Sequence, residues 1–201
     1  MLNGLSGDVK IPRKTAASSA AFISSEGGAA GESEFTVGSV TMSPKTLGAF
    51  TDVTRQLMIQ SSIDVENLIR NDLAQSMAIA IDDAALEGSG SSGNPTGITN
   101  TSGINTVSLS SAAAPTFAEM VSMETSVRVD NALLGDLAYI VHPTNYGTLK
   151  TTEKATNTAQ FVAVNDEING YKVVVSPQLT ANNYVFGNFD DLLVGMFGGL
   201  D

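Results

Sequence analysis

The sequence predicts an α+β fold, and three observations carry the prediction. Apolar residues recur every fourth position from Val65 through Ile69, Leu73 and Met77 to Ile81, the stripe of a long amphipathic helix running from about Asp64 to Leu86. The run from Leu137 to Val141 is apolar at nearly every position and is stopped by Pro143, the pattern of a buried strand. Around these two, strand-like and helix-like stretches follow one another without strict alternation, which favours α+β over a doubly wound parallel sheet.

Taken in order, residues 1–35 have no helical period and few apolar side chains, among them Val9, Ile11, Phe22 and Ile23. Such a segment buries no core of its own, so it reads as an extended hairpin or loop that is ordered by a partner surface. Phe35, Val37, Val40 and Met42, then Leu47, Phe50, Val53 and Leu57, predict a long strand or strand pair leading into the helix. Leu68, Ala80 and Ala84 widen the helix's stripe, so one face packs and the other stays wet. Ser61 or Ser62 caps its start, and Glu66 precedes Arg70 by four residues, an ion pair worth about 0.3–0.5 kcal/mol. Gly88 is expected to close it in the left-handed conformation. At 1.5 Å per residue the helix spans roughly 35 Å.

The glycine-rich run EGSGSSGNPTGI follows, and Ile104 to Leu109 reads as a short strand. Thr116 and Glu119 make a capping box in front of Phe117, Met120, Val121, Glu124 and Val127, which predicts a second helix ending near Asp130 and Asn131. Beyond the buried strand, Pro143 opens a short helix to about Thr151, at the position where its missing donor does no harm. Strands are then expected at Tyr171 to Ser176, in YVFGNF, and in the closing LLVGMFG.

Composition narrows the function. The chain has 201 residues and an ordinary apolar fraction of 42%, enough for a core. It has no cysteine, which excludes disulfides, thiolate metal sites and a cysteine nucleophile. No window approaches 18 consecutive apolar residues and the N-terminus lacks a signal-peptide core, so the chain reads as soluble, without a membrane partner. A formal charge of −11 opposes binding to a phosphate backbone, which disfavours sequence-specific nucleic-acid recognition. The cations are unevenly placed: Lys10, Arg13 and Lys14 stand together, while Glu26, Glu32 and Glu34 follow about twenty residues later. A hairpin joining these segments would have a basic and an acidic arm. It is either a solvated surface or a contact arm with charges complementary to a neighbour.

Catalytic chemistry finds little support. His142 is the only histidine, so a two-histidine metal site is excluded. Between a buried strand and a proline, it reads as a hydrogen-bonded structural residue. GSGSSG lacks the spacing of a nucleophile elbow, and GSGSSGNPTG has no G-K-[ST] ending and follows a helix, so it is a turn and not a phosphate cradle. Asp83 and Glu87, with Asp82 alongside, stand at the negative end of the helix dipole. There a lysine or arginine from elsewhere in the fold or from a neighbouring subunit is a better partner than a metal. No catalytic, metal or cofactor residue is expected.

An ordered series of segments nevertheless resembles the HK97-type major capsid protein family of tailed double-stranded DNA bacteriophages. The series is VKIPR; SEGGAAGESEFTVGSVTMSPKTLGAFTDVTRQL; the helix ending IDDAALEGSGSSGNPTGI; a strand ending VHPTNY; INGYKVVVSP; and VFGNFDDLLVGMFGGLD. It covers nearly the whole chain from about Asp8. The resemblance implies an HK97-like capsid fold in which residues 1–35 form the extended E-loop arm, lying on an adjacent subunit. Residues 36–95 would form the P-domain strands and spine helix, and residues 96–201 a mixed α/β A-domain. It implies a structural protein of the virion, assembled in the bacterial host cytoplasm, whose pentamers and hexamers build an icosahedral shell around the phage genome. Scaffold, portal and decoration proteins would be its further partners. Lys10, Arg13, Lys14, Glu26, Glu32 and Glu34 become the expected subunit-interface residues.

Two departures qualify the resemblance. Some members crosslink an E-loop lysine to a P-domain asparagine, but the stretch from Glu26 to Glu34 has no lysine, so that crosslink is not expected. The family also continues beyond the position of Asp201 and many members begin earlier, so the chain reads as truncated at both ends. An encapsulin-like nanocompartment shell is the nearest alternative. A serine hydrolase using His142 and a tail-associated binding module are alternatives of other classes.

Overall fold

A computed structural model describes the chain except for residues 1, 3, 17, 19, 21, 24–32, 61–64 and 199–201 and the side chains of 58 and 60. It divides into two units, residues 45–192 and residues 1–44 with 193–201. The larger is built around the strand β3, Leu137–Val141, whose apolar run is buried from Ala138 onward because both faces of the strand are covered. Helices and strands in this unit are α1 (Arg55–Gln60), α2 (Val65–Glu87), α3 (Phe117–Val129), α4 (Pro143–Leu149), β4 (Ala163–Val164), β5 (Glu167–Ile168), β6 (Tyr171–Val175) and β7 (Tyr184–Asn188). For continuity, the two strands of the smaller unit are β1 (Val9–Ala16) and β2 (Thr36–Met42).

The sheet runs β4-β5-β6-β3-β7, with β6 parallel and β7 antiparallel to β3. Pleating sends Tyr139 and Val141 to one face, where Met120 of α3, Tyr146 and Leu149 of α4, Val162, Ile168 and Val173 close a core. Tyr139 and Phe186 lie opposite each other in the register, their rings 4.4 Å apart, and the Tyr139 hydroxyl donates to the Met120 carbonyl at 3.0 Å. Ile140 points the other way, to Leu86 at the end of α2 and to Leu179.

The local signals explain the helices. Thr116 accepts from the Glu119 amide while the Glu119 carboxylate accepts from the Thr116 amide, so the expected capping box is formed. Asn131, in the left-handed region at φ 54°, follows the last turn. Pro143 opens α4, and His142 is its N-cap. The end of α2 differs from expectation. Gly88 is not left-handed; it is needed because a Cβ there would meet the Pro95 carbonyl oxygen at 2.3 Å and the Ala84 oxygen at 2.4 Å. The chain doubles back tightly from Ser89 to Thr96, and Gly97 donates to the Gly88 carbonyl at 2.8 Å.

Other expectations are corrected. Residues 45–54 are irregular and Arg55–Gln60 is helical, so the strand stops at Met42. Arg-Gln-Leu-Met are helix formers, and Thr54 accepts from the Leu57 amide at the start of the turn. Ile104–Leu109 is not a strand, and LLVGMFG contributes only a bridge from Gly195 to Leu2. The expected caps Ser61 and Ser62 and the expected helix start at Asp64 lie outside the described residues. Two strands escaped prediction, β4 and β5. Their turn, Asn165-Asp166, and the next, Asn169-Gly170, have positive φ at both residues, as two-residue hairpins require.

In the smaller unit β1 and β2 form a two-stranded antiparallel hairpin, with Val9 opposite Met42 and Ile11 opposite Val40. Its base is joined by residues 194–196, which exchange backbone hydrogen bonds with Leu2 and Leu5.

Candidate functional site

The strand β1 carries all three expected basic interface residues. Alternation puts Lys10 and Lys14 on one face, flanking Pro12, and Arg13 on the other with Val9 and Ile11. All three cations are exposed, and Lys14 lies over the Phe35 ring at 5.9 Å. The partner strand, TVGSVTM, is uncharged, so the paired residues form a basic strand against a neutral one. Glu34 stands exposed just before β2; Glu26 and Glu32 lie outside the described residues.

Helix α2 presents a second surface. Its predicted stripe is only half-buried at Val65, Ile69, Leu73 and Met77, and Leu68 and Ile81 are exposed at 64% and 43%. Only Leu86, at its end, reaches the core among the described residues. The periodicity is therefore present, but within this unit the first five turns are left largely uncovered. Phe50, Leu57 and Ile59 are exposed as well.

Beside α2 lies an open groove of about 470 Å³, bounded by Ser76, Ile79, Asp83 and Glu87 of the helix and by His142 and residues 177–181. Glu87 finds neutral partners where a cation was expected: it accepts from the Thr180 hydroxyl and from the Asn183 amide, the latter at 2.9 Å. Partial burial pulls its carboxyl up, but these hydrogen bonds outweigh that effect and hold it below the usual carboxylate range. His142 uses Nδ1 to accept from the Thr144 amide at 3.2 Å, the structural part expected of it. Ser89 and Ser91 of the glycine-rich turn hydrogen-bond to one another.

A buried polar cluster was missed. Glu124 lies in the apolar stripe of α3 and is 6% exposed. Its carboxylate accepts from Arg128, from the Asn169 amide and from the Tyr171 hydroxyl. Burial, then the Glu124 charge and Tyr171, push the nearby Tyr139 phenol far up. Glu124 four residues before Arg128 was a visible signal, but Asn169 is distant in sequence. Among the described residues no cluster of three or more metal-ligating side chains occurs, and no helix is long and apolar enough to cross a membrane.

The comparisons with known proteins agree with one another. The model of the phage capsid family matches residues 1–201. The major capsid protein of Halomonas phage phiHAP-1 is 33% identical over the whole of this chain. The chain spans about a third of that relative's length, 33%. Among solved structures, the capsid of the native GTA particle, computed with C5 symmetry, has a TM-score of 0.70 at 18% identity. The capsid of the empty GTA particle has a TM-score of 0.65 at 20% identity. Each covers 94% of this chain and 70% of the other.

Proposed function

Because the chain belongs to the phage capsid family, whose model matches it from end to end, we propose that it is the shell-forming part of a major capsid protein. In this reading copies assemble into the pentamers and hexamers of an icosahedral head around phage DNA. The α+β fold is shared with the GTA capsid chains, in line with the HK97-type resemblance seen in the sequence. The finer division is part of the proposal: residues 1–35 are the E-loop arm, residues 36–95 the P-domain with α2 as its spine, and residues 96–201 the A-domain.

The observation that carries this reading is the full-length match to the family. Two features support it. The hairpin β1–β2 is a two-stranded ribbon with Phe35, Val37 and Val40 exposed, and such a ribbon gains stability from packing on another surface. The long helix α2 leaves Leu68, Ile79 and Ile81 outside its own unit's core. Lys10, Arg13, Lys14 and Glu34, with Glu26 and Glu32, are the interface residues of the arm. Scaffold, portal and decoration proteins are the further partners of such a shell. His142 is engaged as a helix cap, and Ser89 and Ser91 of the glycine-rich turn hydrogen-bond to each other, so neither of these serines supports the hydrolase alternative by pairing with the histidine.

Sedimentation and negative-stain microscopy test the proposal. Capsomers or shells are expected across assembly conditions; a monodisperse monomer throughout would overturn it. Co-purification of an enzyme cargo inside the particles would favour the nanocompartment alternative.

A further inference from the structure

Asn-Gly occurs twice in the sequence, at Asn3-Gly4 and Asn169-Gly170, and only the second pair lies wholly among the described residues. An asparagine followed by glycine carries a reaction of its own, because the next backbone nitrogen can close a succinimide ring on the side-chain carbon. A Cβ on the following residue hinders that approach, and glycine has none. The turn here favours the closure. It is the two-residue link between Ile168 and Tyr171, with φ of 52° at Asn169 and 83° at Gly170. Both residues are exposed, and nothing lies within 4 Å of where a Cβ on Gly170 would stand. The Gly170 amide donates to no other described residue, so no hydrogen bond holds its proton. Asn165 is the natural comparison: it too is exposed and left-handed in a two-residue turn, at φ 54°, but Asp166 follows it, with a Cβ and a negative charge that oppose loss of the amide proton.

We propose that Asn169 is a site of spontaneous chemical modification, where the Gly170 nitrogen displaces the side-chain nitrogen and converts the asparagine to aspartate and isoaspartate in the folded chain. The Gly170 N–H gives its proton to hydroxide, its nitrogen bonds to Cγ of Asn169, and the Cγ–Nδ2 bond breaks, releasing ammonia with a proton taken from water. Water then opens the succinimide. Addition at Cγ returns an ordinary aspartate. Addition at the backbone carbonyl carbon breaks that carbon's bond to the Gly170 nitrogen and leaves the chain running through the side chain, as isoaspartate. Nothing is oxidised or reduced, and water is the co-reactant. Either product acts on the Glu124 cluster, since the amide that donates to Glu124 is replaced by a carboxylate facing a carboxylate that is 6% exposed. Isoaspartate also adds a backbone atom to the turn that keeps Ile168, fully buried beside Met120 and Val173, in register. The modification is therefore a clock on the link between α3 and the β5–β6 hairpin, set running when the chain is made.

The test follows the purified full chain, kept native at neutral and mildly alkaline pH, by mass spectrometry of its peptides, with isoaspartate recognised by enzymatic methylation. Acid at position 169 is expected to accumulate at least several-fold faster than at Asn165, as a mixture with isoaspartate and in proportion to hydroxide concentration. Hydrogen exchange should then show the Ile168 and Tyr171 amides opening faster in the aged protein than in the fresh one. In Asn169→Gln, whose longer side chain closes its ring far more slowly, fresh and aged samples should exchange alike. Conversion at Asn169 no faster than at Asn165, or aspartate without isoaspartate, overturns the proposal. So does conversion confined to the urea-unfolded chain, which would mean that the turn keeps the Gly170 nitrogen from Cγ. Modification with unchanged exchange would overturn its effect on the hairpin.

Discussion

The side-chain amide of Asn169 donates to the buried carboxylate of Glu124, tying the turn between β5 and β6 to the middle of α3. The same carboxylate accepts from Tyr171 at 3.2 Å and pairs with Arg128, whose outer part remains in solvent. One acidic group therefore organises a helix, a turn and a strand that are far apart in sequence.

Glu124→Ala is expected to lower stability by about 1–2 kcal/mol, since it removes the buried acceptor shared by Asn169, Tyr171 and Arg128, although the exposed Asn169 and Arg128 can turn to water. Asn169→Asp should also destabilise, by setting a second carboxylate against Glu124, and Glu124→Gln added to it should recover part of the loss. Urea denaturation of the unsubstituted chain, Asn169→Asp, Glu124→Gln and the double variant decides this. Additive losses would mean that the two side chains do not interact.

How far the sequence revealed this fold depended on whether a signal was local. Thr116 and Glu119 are three residues apart, and their capping box predicted both the start of α3 and its geometry. The strands β4 and β5 are two residues long, too short to carry a period, although Asn169-Gly170 was a recognisable hairpin turn. Ile104 to Leu109 has the composition of a strand but finds no edge to pair with in its unit. Of the expected interface residues, the basic cluster was legible, but its division between two faces of β1 emerged only with the strand register. The acidic groove was legible only in part, because Asp83 and Glu87 are close in sequence while Thr180 and Asn183 come from a turn more than ninety residues away.

Acid should weaken the start of α3. The amides of Ser110 and Thr116 hold the Glu119 carboxyl down to about 2 from its ordinary 4.5. Its folded value lies below the unfolded one, so its stabilising contribution is complete above about 4.5 and fades as the pH falls toward about 2. Thermal melting followed across that range should show a shallower acid slope for Glu119→Gln than for the unsubstituted chain. Parallel curves would assign the acid response to other carboxylates.

Two glycines should respond oppositely to alanine. A Cβ on Gly97 would stand 2.4 Å from the Gly88 nitrogen and 2.7 Å from the Glu87 nitrogen, with backbone on every side. Gly97→Ala is therefore expected to cost more than about 2 kcal/mol, by forcing open the turn that follows α2. Gly147 lies in α4 with nothing within 4 Å of the added atom, so Gly147→Ala should stabilise by about 0.5–1 kcal/mol. A melting temperature that does not fall for Gly97→Ala would refute the close approach there, and one that falls for Gly147→Ala would refute the open space beside α4.

The uncovered stripe of α2 separates folding from assembly. Leu68 is 64% exposed, and a polar replacement at such a position normally changes stability by no more than about 0.5 kcal/mol. If neighbouring copies cover that surface in the shell, Leu68→Gln leaves the isolated subunit's denaturation curve in place yet removes apolar area from the assembled state, where roughly 25 cal/mol per Å² is at stake. Repetition of the same contact in every subunit would magnify a small loss per contact into a clear shift of the concentration at which particles form. Light scattering against protein concentration should place the onset for Leu68→Gln several-fold higher. An unchanged onset would mean that this part of α2 faces solvent in the particle as it does in the single chain, and that the helix's length serves to separate its two ends and not to bind along its side.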